Sequence, residues 1–89
     1  MPKKNFIFSV QVFFPAIMKN KKPFQGKATA VSTQNKLGKF DVLPQHINFI
    51  TLIFKELTIR TIEKKEINYQ FEKGILAVKR NKVSIFLGV

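Results

Sequence analysis

Apolar and polar residues alternate along most of the chain with a period of two. In the first segment of this kind, apolar side chains occupy every second position from 6 to 14, and Ser9 and Gln11 lie between them. A period of two is typical of strands that bury one face. Pro15 follows the segment, and it ends a strand because proline has no backbone N–H to donate. The pattern predicts an amphipathic strand that ends before Pro15.

Four later segments alternate in the same way and are separated by turn-forming residues. Their apolar positions are Leu57, Ile59, Ile67, Tyr69, Phe71, Leu76, Val78, Val83, Ile85 and Leu87. The intervening turns are expected at residues 19–23, 35–38, 63–66 and 80–82, and Gly38 suits a positive φ. Turn signals at such short intervals are typical of a sandwich or a barrel.

Residues 49–56 allow two interpretations. Phe49, Leu52, Ile53 and Glu56 would share one face of a short helix. However, β-branched side chains lose rotamer freedom in helices and are favoured in strands. Because Ile50, Thr51 and Ile53 are β-branched, we predict a strand here.

Together these elements predict an all-β fold, an antiparallel β-sandwich of about eight to ten short strands. One domain accounts for residues 1–89, since a chain of 89 residues has no room for a second core. We expect its core to contain the following residues: Phe8, Val10, Val31, Val42, Ile59, Phe71, Leu76, Val78 and Ile85.

The amino-acid composition excludes some kinds of site and indicates which partners the charge would attract. The sequence has no cysteine, which excludes disulfides and thiolate metal sites, and its net charge of +11 should attract polyanions such as nucleic acid, an anionic membrane or an acidic protein. The uncharged residues 5–18 lack a small-residue cleavage site and are too short for a bilayer, so we predict neither signal peptide nor anchor.

The sequence contains few residues that could combine into a catalytic site. His46 is the only histidine, and the five acidic residues are scattered. A triad needs a nucleophile, a base and an orienting group in contact. Asp41, His46 and one serine are the only combination left open, and a loop histidine that binds a backbone group or a partner is favoured. We predict no active site, no metal and no cofactor.

Nucleic-acid binding is the alternative from a different class. A small basic β-domain with exposed phenylalanines would suit base stacking and phosphate neutralisation in single-stranded nucleic acid. However, most of the phenylalanines alternate towards the expected core. Lysines at edges and turns also protect strands from edge-to-edge pairing.

Several short motifs follow one another from residue 24 onward. They are Phe24-Gln25-Gly26, Gly38-Lys39-Phe40-Asp41-Val42-Leu43-Pro44-Gln45-His46, Gly74-Ile75-Leu76-Ala77-Val78 and Asn81-Lys82-Val83-Ser84-Ile85. Their order and spacing resemble the N-terminal β-sandwich of the F-type ATP synthase epsilon subunit, which is called delta in mitochondria. The resemblance covers nearly the whole chain.

The resemblance implies a non-catalytic rotor subunit of the central stalk. Such a subunit binds the gamma subunit and the membrane-embedded c-ring, and thereby couples proton flow to ATP synthesis. It implies a peripheral location at the cytoplasmic face of the cell membrane, within the complex. The expected ring-contact loop contains Lys39, Asp41, Leu43, Pro44, Gln45, His46 and Asn48.

The sequence also departs from the family pattern. Asp41 and Gln45 replace glycines, so positive-φ geometry at either position would be strained or remodelled. Lys73 replaces another glycine, and Lys39 stands where members often have an acidic residue that faces a basic ring loop. Many members add two regulatory C-terminal helices after the last strand. We expect no such regulation from these residues, whether the helices are naturally absent or truncated.

Overall fold

The computed structural model describes residues 7–15, 23–44 and 48–88. These residues form six strands and no helix: β1 (Phe8–Phe13), β2 (Gln25–Asn35), β3 (Gly38–Val42), β4 (Phe49–Thr61), β5 (Glu66–Lys79) and β6 (Lys82–Leu87). The all-β prediction is confirmed. The ambiguous residues 49–56 belong to β4, so the strand interpretation is also confirmed.

The strands form one sheet that closes on itself. Their order is β1-β6-β5-β4-β2-β3, and β1 also pairs with β2, so β3 is attached to the edge of β2. The prediction of a wholly antiparallel sandwich needs one correction, because β1 and β6 are parallel. Both strands lie far apart in sequence, and no short hairpin connects them that would require opposite directions.

The prediction of eight to ten short strands was wrong for the described residues, because two strands are long. β4 has 13 residues and β5 has 14, and both contribute to the two layers of the sandwich. Their pairing shifts register between Phe54 and Lys55, where Lys55 has a φ of 77°. Such a bulge bends a strand. Thr33 Oγ1 donates a 2.6 Å hydrogen bond to the Glu56 carbonyl next to it.

Gly74 allows β5 and β6 to approach closely beside this bulge. A Cβ at position 74 would lie 2.8 Å from the Phe86 carbonyl oxygen and 2.9 Å from Leu87 Cδ2. Backbone atoms cannot move away as a flexible side chain can, so any larger residue would push the strands apart. The glycine is required here for space, since its φ is not positive.

The core lies between the two layers and is made of the inward positions of all six strands. Every predicted core residue is buried except Phe71, which is half buried and packs against the cluster. Phe71 lies directly opposite Lys55 at the bulge, where the regular alternation of inward and outward positions is interrupted. The sequence pattern alone did not reveal that interruption.

The two short turns follow the predicted chemistry. At the β2–β3 turn, the Leu37 amide donates to Asn35 Oδ1 at 2.8 Å and Gly38 has a φ of 126°. At the β5–β6 turn, Arg80 and Asn81 have φ values of 52° and 63°, as a type I′ hairpin turn requires. The β4–β5 turn lies one residue earlier than predicted, at 62–65. Most of the predicted turn at 19–23 lies outside the described residues.

Candidate partner-binding surfaces

The first two residues of the predicted contact loop lie on the outer side of β3. Lys39 Nζ is 3.6 Å from Glu56 Oε2 on β4, and both side chains are mostly exposed. Asp41 Oδ1 accepts a 2.7 Å hydrogen bond from Ser32 Oγ on β2. Asp41 pairs regularly with Ser32 and has no positive φ, so the strain expected from the lost glycine is not found there.

Of the remaining loop residues, the structure describes Leu43, Pro44 and Asn48. Leu43 follows β3 and is 53% exposed, and Pro44 is half buried. Asn48 lies against the β5–β6 turn, where its Oδ1 accepts a 2.9 Å hydrogen bond from the Arg80 amide. Gln45 and His46 lie outside the described residues. Asn48 therefore has a bonding partner on a different element from those that bond Lys39 and Asp41.

The β2–β3 turn adds a residue that sequence reasoning missed. Leu37 is 96% exposed, the most exposed large hydrophobic side chain in the described residues. It adjoins Gly38 and Lys39 along the chain. An apolar residue in an otherwise polar turn was the available signal.

The geometry around Asp41 does not favour nucleophilic catalysis. The Ser32 hydroxyl donates directly to the Asp41 carboxylate, whereas a triad places an imidazole between those two groups. Within the described ranges, no three His, Cys, Asp or Glu side chains are grouped as metal ligands. The surface chemistry here is that of hydrogen bonding and contact.

A second surface is formed by the outward residues of β1, β6 and the adjoining parts of β4 and β5. Phe13, Phe86, Ile75 and Leu52 are cross-strand neighbours in one row across these four strands. The rings of Phe13 and Phe86 are stacked, with centroids 4.8 Å apart and planes at 11°. Ala77 and Ile50 form part of the next row. We call the six residues Phe13, Ile50, Leu52, Ile75, Ala77 and Phe86 the apolar face.

The apolar face is exposed in the free chain. Ile50 is 69% exposed, and Leu52, Phe86 and Phe13 are between 37% and 42% exposed. Contiguous exposed apolar residues mark interaction surfaces more often than isolated ones do. The signal in the sequence was Phe13 and Phe86 themselves, which occupy the polar phase of alternating strands.

Cationic side chains border the apolar face at the β5–β6 turn. Lys79 and Lys82 lie directly opposite each other on neighbouring strands, and Arg80 is in the turn between them. On the far side of β1, Lys27 Nζ lies 3.2 Å from Ser9 Oγ. The described residues contain no ion pair for any of these four cations. We call Lys27, Lys79, Arg80 and Lys82 the basic border.

The opposite layer presents a different outer surface. Here Thr58 Oγ1 donates to Asn68 Oδ1 at 2.7 Å, and Arg60 Nη2 is 2.9 Å from Glu66 Oε2. The Ser32–Asp41 and Lys39–Glu56 contacts continue this surface across β2 and β3. We call the outward residues Ser32, Lys39, Asp41, Glu56, Thr58, Arg60, Glu66, Asn68 and Gln70 the polar face.

Comparison with known proteins assigns the family. The family model described as ATP synthase, Delta/Epsilon chain, beta-sandwich domain matches residues 11–88. This chain belongs to that family. The match covers nearly all of the sequence, so the β-sandwich is a family feature. No curated protein sequence matches the chain.

Solved structures share the fold of this delta/epsilon-type domain. A chain in the mitochondrial ATP synthase of Euglena gracilis (OSCP, F1 and c-ring) has a TM-score of 0.78 and 15% identity over 92% of this chain. A chain in the central stalk and c-ring of the Tetrahymena thermophila mitochondrial enzyme has a TM-score of 0.70 and 11% identity over 91%. The domain spans 51% and 63% of those two chains, respectively. Its described residues include no helix suited in length and hydrophobicity to cross a membrane.

Proposed function

We propose that this delta/epsilon-type domain is a rotor subunit of the ATP synthase central stalk. It binds the gamma subunit and the c-ring, and it couples proton flow to ATP synthesis without catalysis or a cofactor of its own. The family match over residues 11–88 supports this proposal most strongly. The structural neighbours belong to assemblies that contain a c-ring. We place the domain peripherally within the complex, and its cell-membrane location stays a prediction.

The apolar face is our candidate for the gamma contact. A stable interface needs an apolar centre that excludes water, and aromatic residues are frequent in such centres. Phe13 and Phe86 are partly exposed and stacked on each other at 4.8 Å. The polar face has no comparable aromatic pair, and eight of its nine residues bond to one another.

The β2–β3 turn and the residues after β3 are our candidate for the ring contact. Leu37 and Leu43 are exposed at the two ends of β3, and Lys39 lies between them along the chain. Glu56, 3.6 Å from Lys39, supplies a carboxylate to this surface. A basic ring loop would therefore meet an acidic group even though Lys39 replaces the family's acidic residue.

Titration of this domain against its cognate gamma subunit tests the proposal. We expect one-to-one binding at about 50 and at about 300 mM salt, because buried apolar surface is little affected by screening. Failure to bind gamma at either salt would contradict the stalk assignment.

Two substitutions test the ring contact in the assembled enzyme. His46→Ala and Leu37→Asp should leave folding nearly intact and reduce proton-driven ATP synthesis, because each removes a group from the proposed contact surface. Unchanged synthesis in both variants would exclude this surface as the ring contact.

One observation favours a second candidate, the binding of single-stranded nucleic acid. The exposed Phe86 ring and the Lys82 ammonium lie on the same side of β6, an arrangement that suits base stacking next to a phosphate. A DNA oligonucleotide titrated in parallel distinguishes the two. DNA affinity should fall steeply between the two salt concentrations, because counterion release drives it.

A further inference from the structure

The distribution of charge around the apolar face carries information about its partner. The chain has five acidic residues, and none of them lies in β1, in β6 or in residues 49–54 and 74–79. Asp41, Glu56 and Glu66 are bonded on the polar face. Glu63 and Glu72 lie in the β4–β5 turn and at the bulge. The apolar face and its basic border therefore form a surface of one sign.

The basic border is unfavourable in the isolated domain. Like charges directly opposite each other on adjacent strands destabilise a sheet, and Lys79 and Lys82 occupy such a pair. Arg80 adds a third charge in the turn between them. A shallow groove of about 460 Å³ continues from these cations to the apolar face, and it is lined by Ala77, Lys79, Arg80, Lys82, Ser84 and Phe86. A ligand in this groove contacts ammonium groups at one end and an aromatic ring at the other.

We propose that the occupant of this surface is a protein segment with an apolar strip flanked on one side by carboxylates. The apolar strip covers Phe86, Ile75 and their neighbours, while the carboxylates meet Lys79, Arg80 and Lys82. This inference rests on the proposed function, and it specifies the chemistry that the gamma subunit presents to the domain. Rim charges of this kind steer association and set orientation, whereas the apolar centre determines how slowly the complex dissociates.

A protein segment fits the surface better than a nucleic acid does. The row from Phe13 to Leu52 crosses four strands, a width of about 14 Å at about 4.8 Å per strand. Two of the four residues in this row, Ile75 and Leu52, are aliphatic and do not stack with bases, so a nucleic acid would use only the two phenylalanine rings. Lys79, Arg80 and Lys82 lie together at the β5–β6 turn, so a polyanion that follows these three cations would leave the row from Phe13 to Leu52 largely uncovered.

A pair of charge-reversed variants tests the inference. Lys79→Glu with Lys82→Glu reverses the border and keeps two like charges opposite each other, so the stability of the free domain should change little. Lys64→Glu with Lys65→Glu is the matched control, because it changes the net charge equally in the exposed β4–β5 turn. Circular dichroism and thermal unfolding confirm that both variants fold.

The readout is the kinetics of binding to purified cognate gamma subunit at low and moderate salt. At about 50 mM salt we expect the border variant to bind at least about tenfold more weakly, mainly through a lower association rate. The control should change affinity by less than about threefold, and the difference between the variants should shrink at about 300 mM salt, where screening is stronger. Equal effects of the two variants, or none, would overturn the proposed carboxylates.

The outcome of gamma binding separates this inference from the proposed function. Gamma binding by the unaltered chain together with equal effects of the two variants would contradict only the charge assignment. No gamma binding would contradict the proposed function and this inference with it.

Three alternative ligands are measured in parallel: anionic phosphatidylglycerol vesicles, neutral phosphatidylcholine vesicles and a single-stranded oligonucleotide. The decisive result is that one of these ligands binds tightly while gamma does not bind, and that the border variant alone abolishes this binding. Such a result would assign the surface to that ligand and overturn the proposal.

Discussion

The two outer faces of the sandwich share β4 and β5 and differ in whether their side chains bond to one another. On the polar face, Thr58 bonds to Asn68 and Arg60 pairs with Glu66, so neighbouring strands supply each other's partners. On the apolar face, Phe13 and Phe86 contact each other and remain partly exposed. A sheet face that satisfies itself contributes to the stability of the free domain. A face with unsatisfied apolar area and unpaired cations instead provides binding energy for a partner.

The largest effect is expected where β5 passes between the two layers. Gly74→Ala should destabilise the domain by about 2–4 kcal/mol, because the new Cβ would meet the Phe86 backbone at 2.8 Å. Chemical denaturation measures this loss. Gly26→Ala is the matched control, because its Cβ would meet only the end of the Phe24 side chain at 3.0 Å. Equal losses in the two variants would mean that the strands at Gly74 can separate at little cost.

The next effect distinguishes the two faces directly by their binding energy. Phe86→Ser should weaken gamma binding by about 10- to 100-fold, since aromatic anchors dominate interfaces. Gln70→Ser on the polar face should leave affinity unchanged. Calorimetric titration measures both, and a larger loss for Gln70→Ser would reverse the assignment of the faces.

A smaller effect should have opposite signs for stability and for binding. Lys79→Glu places a carboxylate opposite Lys82, so the free domain should gain about 0.2–1 kcal/mol from the cross-strand pair. The same change removes a border cation and should weaken gamma binding. Thermal unfolding and titration of one variant measure the two quantities. Loss of stability, or tighter binding, would contradict the account of the basic border.

The smallest effect is expected on the polar face. Ser32→Ala removes the 2.7 Å hydrogen bond to Asp41, and an exposed bond of this kind contributes at most about 1 kcal/mol. Gamma affinity should not change, because Asp41 lies on the self-satisfied side. A clear loss of affinity in this variant would extend the gamma contact to the polar face.

Much of the fold could be predicted from the sequence because inward residues recur at every second position. Ile59, Leu76 and Ile85 were assigned to the core from that period, and all three are buried. The tight turn at Arg80 and Asn81 could be predicted because it lies between two alternating segments, whereas its type I′ geometry came from the structure. The closure of the sheet could not be predicted from the sequence. The parallel pairing of β1 with β6 joins residues that are far apart in sequence and leaves no local signal.

The candidate binding surfaces were harder to predict from the sequence than the core was. The resemblance directed attention to Lys39 and the residues after it, yet Asn48 proves to be bonded to the Arg80 amide at another turn. The apolar face depends on register, because Phe13 and Phe86 become neighbours only through the parallel pairing of β1 and β6. Each residue alone was merely an aromatic in the polar phase of a strand.

The central claim is that gamma covers the apolar face and leaves the polar face uncovered. The chain has no cysteine, so a single introduced thiol reports its own position without background. The measurement is maleimide labelling of Ser84→Cys, within the groove beside Phe86, and of Gln70→Cys on the polar face, each free and bound to gamma. We predict that gamma slows the labelling of Ser84→Cys strongly and leaves that of Gln70→Cys unchanged. Protection of Gln70→Cys alone, or of neither thiol in a complex that forms, would contradict the claim.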